Sequence, residues 1–254
     1  MRHALHIDTH VHLYDCFNLK AWVQHALTNL NVSESVQGAL ILVDRQGQDS
    51  FVRLRREVPE FAVWDESPIS DELSIGTIRY QGRELFVVPG VQYVTSERLE
   101  VLALGSPRLV SDGVSIETVI EKSLSVPALV CLPWSPGKWL GKRGQYIRSI
   151  VSNTSSTELC LGDISVHGRF WPKSAILNEC IKRGFACFAG TDALNRPKDC
   201  KLVGSFGVSC NVEGPISAQE LMYVVRSLST TSYMSWGGPN GFFTSVARFI
   251  SSLL

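Results

Sequence analysis

The sequence predicts an α/β fold in which parallel strands and helices alternate to form a closed or distorted barrel. Short β-branched runs alternate with helically periodic stretches through most of the 254 residues. There are seven or eight such units, which favours a barrel over an open doubly wound sheet. Polar residues also recur where the apolar runs stop, and in β/α barrels functional groups gather at the C-terminal ends of strands.

The first strand is the apolar run Ala4, Leu5, Ile7, which leads into Asp8, His10 and His12. A helix is expected over Asn18–Leu30, where Leu19, Trp22, Val23, Ala26, Leu27 and Leu30 share one face. Gly38–Val43 reads as a buried strand ending at Asp44. The segment Arg45–Arg83 breaks the rhythm: a short helix over Ser50–Glu57, then antiparallel strands with a turn at Gln81–Gly82, an inserted hairpin. Further strands are expected at Leu85–Val91, Arg98–Gly105, Ala128–Leu132, Glu158–Ile164, Phe185–Ala189 and Leu202–Val208. Helices are expected at Ser115–Ser125, up to about Val151, and at Lys173–Arg183, Ala218–Leu228 and Phe243–Leu254. No repeat, low-complexity tract or linker-like run divides the chain, so one domain over residues 1–254 is expected.

Composition narrows the class. Formal net charge is zero, with 24 basic and 24 acidic residues, which argues against nucleic-acid binding driven by general phosphate attraction. Seven cysteines without a CxxC pair, mostly in apolar runs, read as buried reduced thiols of a cytoplasmic protein. The start MRHALHIDTH carries no leader-like apolar region and no apolar run reaches membrane-spanning length, so a cytoplasmic protein without membrane contact is expected.

Chemistry collects at the strand ends. On a strand, side chains two apart point the same way, so Asp8, His10 and His12 are expected on one side, with Cβ atoms roughly 6.5 Å apart. Asp192 follows the strand FACFAG and faces the same mouth. His10, His12 and Asp192 would make a two-histidine, one-carboxylate site for Zn, Mn or Fe. The plainer alternatives are core or surface histidines, and Asp8 or Asp192 as turn or helix caps. Lys138, Lys142, Arg143 and Arg148 sit in a Gly-rich loop and helix start suited to an anion, or on a solvated basic face. His167, Arg169, Phe170 and Trp171 follow Asp163, where they could grip an anion or pack under the loop. Trp134, Arg196 and Lys198 add to the same rim. Cys16 lacks a basic partner and is not expected to be a nucleophile.

Taken together, HIDTHVHLYD, GVQYVTSERLEVLALG and GTDAL followed by GSFG resemble, in order and spacing, the motifs of the polymerase-and-histidinol-phosphatase (PHP) family of metal-dependent hydrolases. The resemblance covers nearly the whole chain except Arg45–Arg83. It implies a distorted seven-stranded β/α barrel, bound divalent transition metal and phosphoester hydrolysis by a metal-activated water. Departures reduce the expected site. Gln92 stands where the family has a bridging glutamate, Leu99 and Glu100 near a usual histidine, Leu132–Pro133–Trp134 at an AHP-type motif, and Leu194 after the late aspartate. The resemblance therefore implies one ion on His10, His12 and Asp192, with Gln92 as an oxygen donor and Asp163 or Asp8 as proton acceptor. Asp8 could instead hold a ligating imidazole. His6 is expected to line the barrel, His3 to be terminal and His25 to lie on the surface. The expected ligand is a small anionic, phosphorylated substrate. A barrel that binds such a ligand without turnover is the alternative.

Overall fold

The apolar start of the chain forms the central strand. β1 (His3–Val11) lies between β2 (Val36–Asp44), which is parallel to it, and β10 (Phe206–Val212), which is antiparallel. The computed structural model describes residues 3–135, 137–165 and 174–238. From β2 the sheet continues through β5 (Arg83–Val94), β6 (Glu100–Leu104), β7 (Leu129–Trp134), β8 (Leu159–Ile164) and β9 (Cys187–Gly190). Beyond β10 it ends in β11 (Met234–Gly237). Nine strands thus make one continuous path, a nearly closed, barrel-like sheet.

Closure is made where β9 returns to β1. Thr9 Oγ1 donates to the Ala189 carbonyl at 3.0 Å, and the Asp192 N–H donates to the His10 carbonyl at 2.8 Å. Gly190 permits this approach, because a Cβ there would lie 2.5 Å from His10 Cβ.

The strands are not all parallel, contrary to the sequence reading. β6 runs antiparallel to both β5 and β7. The five-residue turn between β5 and β6 is too short for a crossover helix, so the chain must reverse. The inserted hairpin is present: β3 (Val63–Pro68) pairs with β4 (Ser74–Tyr80), and β4 pairs with the first half of β5. Gln81 and Gly82 form its two-residue turn, with φ of 51° and 73°. The expected strand over Leu202–Val208 is displaced. Pro197–Leu202 forms a 3-10 helix, Gly204 turns at φ 79°, and β10 starts only at Phe206. The short, mostly exposed β11 lacks the alternation by which a strand is read in sequence. Phe243–Leu254 lies outside the described residues.

Two layers of apolar packing follow from alternation. Leu5, Ile7, Ala39, Ile41, Phe86, Val88, Leu102, Leu104, Cys131, Cys160 and Phe188 fill the barrel interior. α6 (Ala218–Ser227) packs Leu221, Met222 and Val225 against them. It covers the end where the parallel strands start, since Gln37 of β2 is hydrogen-bonded to Ile216 at 2.7 and 3.1 Å. Outside, α1 (Leu19–Asn29) covers Val11, Leu40 and Leu42. α3 (Ile116–Leu124), α4 (Gly141–Asn153) and α5 (Ala175–Lys182) cover Val101, Val130, Leu132, Leu159 and Leu161. α2 (Ser50–Glu57) is capped by Asp49, which accepts from Val52 N–H at 3.2 Å. The wide inner and outer apolar faces explain why most cysteines are buried; Cys187 is half-buried and Cys16 exposed, and none forms a disulfide. No helix among the described residues is long and apolar enough to cross a membrane.

One irregularity in β1 sets up the mouth. Asp8 faces Leu40 of β2, but Val11 faces Leu42, so three steps on β1 match two on β2. Leu5 and Ile7 point inward before this bulge, and Val11 points to the helix side after it. The bulge therefore shifts the inward face from odd to even positions. Asp8 does not share a side with His10 and His12, as strict alternation predicted. Its fully buried carboxylate accepts from Thr191 N–H (2.8 Å), Thr191 Oγ1–H, Gly204 N–H (2.9 Å) and His10 N–H (3.3 Å). Burial pushes its pKa up to about 7 despite these hydrogen bonds.

Two consequences are measurable. Asp8→Ala strands buried donors on Thr191 and Gly204 and should cost roughly 2–4 kcal/mol; urea unfolding with an unchanged m-value reads this, and a loss under about 0.5 kcal/mol would contradict the clamp. Gly190→Ala forces β9 away from β1 and should lower Tm by roughly 5 °C or more in a thermal melt.

Candidate metal centre

After the bulge, His10 and His12 both enter the barrel mouth. Gln92 joins them from β5, where Phe86 and Val88 set the inward parity. Asp192 arrives from the turn after β9, with φ 45°, in the left-handed region that aspartate tolerates better than most residues. Its backbone is held by the bond to His10 already described. The polar atoms converge. His10 Nε2 lies 3.2 Å from His12 Nε2, 3.2 Å from Gln92 Oε1 and 3.6 Å from Asp192 Oδ1. His12 Nε2 lies 3.5 Å from Asp192 Oδ1. All four residues are buried.

The protonation pattern decides what this cluster wants. His12 Nδ1 is 2.8 Å from the Val43 carbonyl, an acceptor, so Nδ1 carries the proton and Nε2 presents a lone pair. Gln92 Oε1 and Asp192 Oδ1 are acceptors as well. Burial holds the His10 imidazole far below its ordinary pKa, at about 4, so at neutral pH it has at most one N–H to offer. Its Nδ1 is buried with no hydrogen-bond partner among the described residues. Burial alone would raise the Asp192 carboxyl. The imidazoles of His10 and His12 and the Lys138 ammonium beside it outweigh burial and hold it well below the usual carboxylate range. Three acceptors and a neutral imidazole whose single N–H can sit on Nδ1, leaving the Nε2 lone pair inward, fit a cation. Donor separations of 3.2–3.6 Å also match the edges of a tetrahedron about a Zn-sized ion, roughly 3.3 Å. His10, His12 and Asp192 are the one histidine–carboxylate group among the described residues able to hold a metal ion.

The other residues singled out in the sequence lie in several environments. Asp8 is tied to Thr191 and Gly204 and does not enter the cluster. Asp163 is buried opposite Trp134 and Ala189, at the parity of Leu159 and Leu161 on the helix side, and is not part of the cluster. Trp134 packs in that helix-side layer with Trp139 and Ile147. Lys138 pairs with Glu100. Lys142 is exposed in the first turn of α4, and Arg143 donates to the Gly137 carbonyl at 2.9 Å. Arg148 pairs with Glu179, and Arg196 with buried Asp199 at 2.7 Å. Lys198 is exposed. His167, Arg169, Phe170 and Trp171 lie outside the described residues. His6 does not line the barrel: its Nδ1 lies 2.7 Å from the Leu30 carbonyl and its ring stacks on Trp236 at 4.0 Å. Odd positions face inward before the bulge, so His6 faces out.

Two residues were not read as part of the mouth. Tyr14 packs its ring 5.5 Å from His12 and edge-on to Phe17, and burial pushes its phenol up to about 12. Glu100 reaches the mouth because β6 is reversed, so its first residue stands opposite Val94 at the end of β5. The short β5–β6 turn is the sequence signal that would have revealed it.

No family model and no curated protein matches the sequence. Solved structures do resemble the fold. PsfC from Pseudomonas syringae PB-5123 superposes with a TM-score of 0.59 at 14% identity, covering 100% of this chain and 99% of that one. The lesion-specific endonuclease PfuEndoQ from Pyrococcus furiosus gives 0.57 at 11% identity over 92% of this chain and 59% of that one. An Endonuclease Q complex with a 27-mer duplex substrate carrying an abasic lesion gives 0.52 at 11% identity over 93% and 60%. This chain therefore spans about three fifths of the Endonuclease Q chains and nearly all of PsfC. At these identities the likeness is one of fold alone: a barrel-like α/β sheet, which in this chain carries the buried His10–His12–Asp192 group.

Proposed function

We propose that this chain is a PHP-like metal-dependent hydrolase, a phosphoesterase acting on a small anionic substrate at the barrel mouth. The observation that carries the reading is the convergence of His10, His12, Asp192 and Gln92 on one acceptor-rich point. The likeness to Endonuclease Q, itself of PHP fold, supports it. In this reading β1, β2 and β5 to β9 are the seven strands of the family barrel, and β10 and β11 extend it. A zero net charge favours a small substrate over a nucleic acid.

His10, His12 and Asp192 would hold one ion of Zn, Mn or Fe, with Gln92 as a neutral oxygen donor. Such an ion supplies Lewis-acid polarisation of the scissile ester and lowers the pKa of a nearby water. The protein's own part is positional. Val43 fixes the His12 tautomer, and Asp8 holds the backbone of His10, Thr191 and Gly204 so that Asp192 faces the imidazoles. Lys138 brings positive charge to the mouth. Asp8 acts here as a positioning residue, since its oxygens are taken by N–H and O–H donors. A second reading, an anion-binding barrel without turnover, is favoured by Gln92, whose amide cannot supply the charge of a bridging carboxylate.

Elemental analysis of purified protein should find about one equivalent of transition metal, lost from the His10→Ala/His12→Ala double variant. Metal-free protein that takes up none of Zn, Mn or Fe would overturn the site. A panel of phosphomonoesters and phosphodiesters with added Mn or Zn should show turnover that falls at least about a hundredfold in Asp192→Asn. Metal binding without turnover on the panel would instead select the binding-only reading.

A further inference from the structure

Glu100 and Lys138 form a charged pair at the mouth that the metal cluster does not use. β6 enters the barrel from the mouth, and Gln92 of β5 stands opposite Leu102 while Val94 stands opposite Glu100. Leu102 and Leu104 point into the interior, so Glu100 shares their inward face, one step outward of Gln92. Its carboxylate is paired with the ammonium of Lys138, which comes from the loop after β7. The two side chains are 16% and 35% exposed, so Glu100 is largely enclosed while Lys138 still reaches solvent.

Charge gives the pair its meaning. Gln92, which stands 3.2 Å from His10 Nε2, is a neutral amide and adds no charge to the cluster. Among the described residues the other histidines lie elsewhere: His3 opens β1, His6 is stacked outside the barrel on Trp236, and His25 lies on α1. An ammonium has three N–H donors. Glu100 accepts from one, and the remaining donors are those an oxyanion beside the ion would meet. We infer that Lys138, held in place by Glu100, is the second cationic element of this site, receiving a non-bridging phosphoryl oxygen of the substrate. The inference rests on the metal-centre reading above and extends it to the class of group bound: a phosphoryl oxyanion shared between one ion and one lysine. Glu100 is a positioning residue, acting through Lys138.

Calorimetric titration of inorganic phosphate into Mn-loaded or Zn-loaded protein tests this, with metal content measured on the same samples. Lys138→Met should weaken phosphate binding about tenfold or more while the protein keeps one equivalent of metal. Lys138→Arg should restore binding to within about threefold, because it returns the charge. Glu100→Gln should weaken binding by less than Lys138→Met, again without loss of metal. Unchanged phosphate affinity in Lys138→Met would overturn the inference, as would loss of metal from that variant or a second equivalent of metal in the wild type. Failure of the metal reading looks different: wild-type protein would take up no ion at all. Phosphate titrated into that metal-free protein would then still report on Lys138, and equal binding by wild type and Lys138→Met would overturn the lysine assignment by itself.

Discussion

The Asp8 carboxylate is the contact on which the mouth depends. It lies on the outer face of β1 and gathers donors from three places in the chain: Thr191 after β9, Gly204 before β10, and the backbone of His10 beyond the bulge. Thr191 and Gly204 are far from β1 in sequence and must meet it within one carboxylate's reach. A buried carboxylate that meets only donors fixes its surroundings strongly, since any loosening leaves several polar groups dry and unpaired. The same clamp pins the residues that enter the cavity. Thr191 precedes Asp192, and His10 is two residues along from Asp8. An aspartate beside two histidines thus builds the site from outside the barrel rather than within it.

The β1 bulge and the reversal of β6 are two departures from a regular parallel barrel that serve the mouth. The bulge moves β1 from presenting leucine and isoleucine inward to presenting two imidazoles inward, without ending the strand. The lower barrel can therefore stay an apolar core sealed by α6 while the upper rim becomes polar. The reversal of β6 delivers the start of that strand to the end of the barrel where its neighbours β5 and β7 end, which is how Glu100 comes to face Lys138. Gly190 completes the arrangement by letting β9 lie against His10 with no side chain between them.

The electrostatics of the rim are graded. Deepest are groups that are neutral or acceptor-only, His10, His12 and Gln92, with the single charge of Asp192. One step outward stands the Glu100–Lys138 pair, neutral as a unit, so the acceptor-rich point with the Asp192 carboxylate favours a cation.

Much of this was legible in the residues. The apolar runs and helical spacings located nearly every element, the Gln81–Gly82 turn and the hairpin it closes among them. HxH on the first strand and the aspartate after FACFAG identified the side chains that meet, because residue type and strand position alone bring them to one mouth. Strict two-residue alternation misassigned Asp8, since a bulge leaves no mark in the pattern of side-chain types. His6 was misplaced for the same reason: its side of the strand depends on the register with β2, not on its own sequence. Glu100 went unread as a mouth residue because strand direction is fixed by the connection and the pairing, not by the strand's composition. The sequence by itself determined which residues are buried, where strands and helices form and which chemistry could gather. Only the tertiary structure decided which face each residue presents, because that follows from register, bulges and strand direction, which arise when separate segments pair.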